Sequence, residues 1–69
     1  MKRYLVDLTS LDMDKRLSTC DLIEKNAFIV KPILGNNGIE CLDVFWDSPE
    51  DFPNSSIYPK GCPYQLVNS

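Results

Sequence analysis

"AFIVKPILGNNGIECLDVFWD", residues 27 to 47, decides how this chain is read. Two runs rich in β-branched and aromatic residues, 27–34 and 39–47, flank Gly35-Asn36-Asn37-Gly38. Asn and Gly tolerate the positive φ that tight hairpin turns require, so the runs predict an antiparallel pair of strands. A turn on Asn36-Asn37 and one on Asn37-Gly38 put opposite sets of side chains on a given face, and the sequence leaves both registers open. Pro32 has no amide to donate, which predicts an edge or a bulge in the first strand of the hairpin. An exposed edge is also a place where another chain can add a strand.

Working outward, "KRYLVDLT" from Lys2 to Thr9 is rich in strand formers and predicts a first strand, with Ser10 and "LDMD" breaking the run. "STCDLIEKN" predicts a short helix that starts at Ser18, where Asp21 three residues on resembles a capping box, and stops at Asn26. After the hairpin, "SPEDF" predicts about one helical turn, with Ser48 as cap, Pro49 first, Glu50 and Asp51 at the positive end, and Pro53 as the stop. The remainder is a loop rich in proline and aromatic residues, with a short strand at Tyr64 to Val67 that can return to the sheet. The order predicts an α+β fold: a small antiparallel sheet, one short helix against it, and a single small domain over 1–69.

The 69 residues are near the lower size at which one core folds unaided, and a 43% hydrophobic content is too apolar for intrinsic disorder. Asp7 interrupts the only apolar run near the start, and nothing approaches the ~20 apolar residues of a membrane span, so a cytoplasmic protein is expected. Charge is unevenly spread. Residues 1–31 carry six basic and five acidic side chains, whereas residues 32–59 carry Glu40, Asp43, Asp47, Glu50 and Asp51 and no Lys or Arg. Such a segment repels phosphate, which argues against direct binding of nucleic acid.

The chemistry of sites is largely excluded. The absence of histidine removes the commonest general base and the mixed Cys and His zinc sites. Cys20, Cys41 and Cys62 are odd in number and form no Cys-x-x-Cys pair, which predicts free, mostly buried thiols. Asp12 and Asp14 have the first spacings of a calcium loop, but Arg16, Leu17 and Ile23 stand where an oxygen ligand, the Gly and the bidentate Glu belong. "CPYQ" at Cys62 is similar over three residues to the "CPYC" of glutaredoxins. Gln65 replaces the second thiol there, and seven residues after Cys62 are too few for the helix that activates it. Asp43 with Asp47, or Glu50 with Asp51, could serve as an acid and base pair, yet so short a chain offers little cleft, and each acid has a simpler role as surface charge or cap. No enzyme, cofactor or metal is expected.

What remains is "DVFWDSPEDFPNSSIYPKGCPY", residues 43–64, with five of the seven aromatic residues and four of the ten acids. Phe45 and Trp46 point to opposite faces of their strand, so at least one needs cover beyond a single core layer. The following loop can supply it, or a partner can. In the second case Asp43, Trp46, Asp47, Glu50, Asp51 and Phe52 form a docking surface of aromatic anchors with acids that steer it onto a basic patch. The expected function is a non-enzymatic inhibitor or neutralising protein that occludes a basic surface of a larger nucleic-acid-handling protein or nuclease. Anti-restriction and anti-CRISPR proteins of phages, antitoxins and nuclease immunity proteins offer an analogy of size and charge. The alternative is a small structural subunit or homodimer that pairs through sheet edges or the C-terminal loop.

Overall fold

In the computed structural model, which describes residues 1–67, the chain runs β1 (Lys2–Asp7), α1 (Met13–Asn26), β2 (Ile29–Gly35), β3 (Gly38–Trp46), a 3-10 turn (Phe52–Asn54) and β4 (Tyr64–Val67). The strands form one antiparallel sheet in the order β2-β3-β1-β4, and the fold is a small α+β one. β1 and β3 are interior, so the predicted edge position of the Pro32 strand holds.

The hairpin closes on Asn36 and Asn37, because Gly35 pairs with Gly38. Gly38, at φ +88°, supplies the left-handed residue, and neither Asn leaves the ordinary region. The register shifts between Ile33, which faces Cys41, and Leu34, which faces Ile39, so Glu40 bulges out of the ladder. Backbone bonds alternate along an interior strand. Leu8 N–H donates to Glu40 O (2.9 Å), which sets the even-numbered residues of β3 toward β1, and Phe28 N–H donates to Phe45 O (3.0 Å), which sets the odd ones toward β2. On β2 the bonded residues are therefore Ile29, Lys31 and Ile33, while Val30 and Pro32 turn their backbones to the free edge. The missing amide of Pro32 costs the sheet nothing there.

The helix starts earlier than the sequence predicts. Asp12 is its N-cap, with the carboxylate accepting from Lys15 N–H at 2.9 Å, and Asp14 lies in the first turn, so Ser18 is an interior residue that donates to Lys15 O. A carboxylate satisfies an orphan amide and complements the helix dipole at once, so the "LDMD" stretch opens a helix as well as closing a strand. Arg16, one turn in, donates to the carbonyls of Leu11, Ile39 and Thr9 at 2.9 to 3.1 Å and ties helix, hairpin and the β1–α1 loop together.

The core lies on one face of the sheet. Tyr4, Val6 and Leu8 from the β1 segment and Leu42, Val44 and Trp46 from β3 meet Cys20 and Ile23 of α1. Phe52 and Cys62 close it from the C-terminal segment. The predicted turn at Ser48–Phe52 is also displaced. The 3-10 turn begins after Asp51 and contains Pro53, and Ser48 makes only a 3.4 Å contact with Glu50 N–H. A turn over Pro49–Phe52 would direct the Glu50 carbonyl at the nitrogen of Pro53, which has no hydrogen. That carbonyl accepts instead from the Trp46 indole. The returning strand is formed as predicted, after a turn in which Cys62 N–H donates to Pro59 O and Gly61 takes φ +82°.

Candidate interaction site

Trp46 ends β3 on the core face, and its burial organises the segment that follows. The indole Nε1–H donates to Glu50 O at 2.5 Å, and the ring centroid lies 4.7 Å from that of Phe52. Tyr4 stands edge-on to Phe52 at 5.3 Å, and Tyr58 does so at 5.1 Å from another side. The Tyr4 hydroxyl donates to one Asp51 carboxylate oxygen (3.0 Å), and Asn54 Nδ2 donates to the other (2.9 Å). Residues 47–51 are thus a short loop fastened at its base by an aromatic cluster and three side-chain bonds. Burial, then the bond to Asp51 and the nearby charge, push the Tyr4 phenol up to about 12; burial likewise pushes Tyr58 up to about 12.

The acids of this loop face water. Asp47, Glu50 and Asp51 are all exposed, and with Tyr4, Trp46 and Lys2 they line a shallow concavity of about 210 Å³. Neither Asp47 nor Glu50 has an ion-pair partner among the described residues. Five of the six residues predicted as a docking surface are therefore brought together, though in two roles: Trp46 and Phe52 are buried supports, and Asp47, Glu50 and Asp51 form the presented rim.

Asp43 stands apart. It lies on the opposite face of the sheet, 7% exposed, and receives two bonds of 2.8 Å from the Arg3 guanidinium, which this pairing holds firmly protonated. Strand alternation already separates positions 43 and 46, and the missed signal was that parity. Arg3 and Lys31 both lie over the Phe45 ring, at 5.2 and 5.5 Å, so the second aromatic of the Phe-Trp pair sits among cations on that face. Tyr4, absent from the predicted set, joins the loop to the sheet.

Comparison of the chain with protein-family models, curated proteins and solved structures returned no match.

The remaining candidate chemistry is readily placed. Among the described residues no three Cys, Asp or Glu side chains gather in a way that could hold a metal ion. All three cysteines are free. Burial, reinforced by nearby acids, raises the thiols of Cys20 and Cys41 and keeps them protonated. Cys62 is buried near the Ser10 hydroxyl and is followed by strand β4, so no helix N-terminus stands behind it. No helix of the described residues is long and apolar enough to cross a membrane.

Proposed function

We propose that this chain is a cytosolic, non-enzymatic binding protein that inhibits or neutralises a larger protein by covering its basic, nucleic-acid-binding surface. The supporting observation is the loop 47–51, whose acids are exposed while its base is fixed by Trp46, Phe52 and Tyr4. A loop whose base is held in advance loses less backbone freedom on binding, and a phosphate-binding groove offers the lysines and arginines that its carboxylates suit. Like charges on the loop also accelerate encounter with such a groove. A neutraliser of a restriction, CRISPR or toxin nuclease fits this size and charge by analogy alone.

The test is affinity capture from the source cell with the unaltered chain and with Asp47→Lys/Glu50→Lys. Asp51 is spared because it accepts from Tyr4 and Asn54. The unaltered chain should retain one stoichiometric nucleic-acid-handling protein at low salt and release it at high salt, and the charge-reversed chain should lose it by at least about tenfold. Equal capture by both chains would refute the electrostatic reading.

A further inference from the structure

One face of the sheet has no cover. On the side opposite α1, strand alternation and register place Ile29, Lys31 and Ile33 of β2 beside Phe45, Asp43 and Cys41 of β3, then Arg3, Leu5 and Asp7 of β1, then Gln65 and Val67 of β4. None of these side chains belongs to the core cluster. Ile29 and Ile33 are 41% and 43% exposed. Two shallow concavities open on this face, one between Leu5, Cys41 and Gln65 and one between Arg3, Phe45 and Val67. Ile29 and Ile33 on an edge strand, continued by the half-buried Phe45 and Leu5, make an unpartnered apolar surface among the described residues.

We propose that a second copy of this chain stacks on this face. Charge is the first ground. The face carries Arg3 and Lys31 against Asp7 and Asp43, a sum of zero in a chain of net charge -3. Arg3 and Asp43 satisfy each other, and the Asp7 carboxylate is occupied by the amide and hydroxyl of Thr9. Lys31 and Asp7 have no ion-pair partner among the described residues, so an occupant needs apolar surface with one charge of each sign, and a copy of the same face provides both.

The edges are the second ground. Pro32 leaves a gap in the outward row of amides on β2, and β4 offers four residues among those described, so both edges are poor templates there for adding a strand. Self-association is left to the face, in the isologous manner that closes at two copies. Size is the third ground. Four strands of about five residues give a footprint of roughly 300 Å² per copy. That is well below the ~800 Å² per partner of a standard interface, so the dimer is weak and reversible.

The proposal is independent of the acidic loop, and salt separates the two. Docking of the loop to a basic partner weakens as salt rises, whereas stacking of two net-negative chains on a neutral apolar face holds or strengthens, because screening removes their mutual repulsion. Sedimentation equilibrium of the full chain from about 10 µM to about 1 mM tests it. The average mass should rise from 7.9 kDa toward twice that value. It should do so equally or more at about 0.5 M salt. Ile29→Lys/Ile33→Lys should weaken association at least tenfold with an unchanged circular dichroism spectrum. Should that variant fail to fold, amide shifts of the unaltered chain on dilution decide. Changes at 3–5, 29–33 and 41–45 support the face. A constant 7.9 kDa, or changes confined to 47–51, overturns the proposal.

Discussion

The two faces of β3 are built from the same nine residues and do opposite things. Leu42, Val44 and Trp46 point into a core of apolar and aromatic side chains, over which the loop after the strand folds back as a lid. Cys41, Asp43 and Phe45 point to a face whose interactions are ionic and lateral: Arg3 to Asp43, Arg3 and Lys31 to Phe45. One face derives its stability from depth, the other from pairing within a single layer. A chain of this length has enough material to bury one side of a sheet, and the side left over is where contact with another molecule costs least.

The largest difference between the faces should appear on truncating their aromatics. Phe52→Ala removes the ring that Trp46, Tyr4 and Tyr58 all touch and should cost about 3–5 kcal/mol, comparable to the whole stability of a domain this small. Phe45→Ala should cost about 1 kcal/mol, since its ring is half-buried. Urea denaturation of both variants checks this, and equal losses would dissolve the distinction between the faces.

A smaller effect sharpens the ionic side. Arg3→Ala strands the Asp43 carboxylate, but the Arg3 side chain is 39% exposed and water reaches the pair, so the loss should fall well below that of a fully buried pair and below that of Phe52→Ala. A denaturation midpoint unmoved by Arg3→Ala would show that Lys31 and water replace the guanidinium completely.

The last effect shows only at the ends of the pH scale, and it runs in opposite directions on the two faces. The Tyr4 and Tyr58 phenols are raised to about 12 on folding, so the stability they lend is full below their unfolded value near 10 and is lost as pH rises through 12. Asp7, on the open face, is held below the usual carboxylate range by the hydroxyl and amide of Thr9, so its contribution is full above that range and is lost as pH falls through the lowered value. Urea midpoints across the pH scale should decline at both ends. Tyr4→Phe should flatten the alkaline decline and Thr9→Ala the acid one; a Tyr4→Phe variant as alkali-sensitive as the parent would refute the first assignment.

Much of this was legible in the sequence, and the parts that were not share a cause. The hairpin, the edge position of Pro32, the last strand and the opposite directions of Phe45 and Trp46 follow from local turn chemistry and a period of two. The helix start was missed because Asp12 both ends one element and caps the next, and a breaker and a cap look alike in isolation. The 3-10 turn was misplaced because a tertiary bond, from the Trp46 indole to the Glu50 carbonyl, overrides a good local cap at Ser48. The bidentate partner of Asp43 lies forty residues away on another strand, and only the sheet order β3-β1 brings Arg3 to it.

Trp46 is the sole tryptophan of the chain, with its indole N–H bonded to the loop and its ring stacked against Phe52. Light absorbed at the red edge of the protein spectrum is therefore taken up beside the acidic loop and nowhere else. Lifting residues 47–51 off the ring would hydrate the indole and shift its emission to longer wavelength, while an occupant of the opposite face would leave that colour unchanged. The molecule carries its own optical gauge, set to read one of its two surfaces and blind to the other.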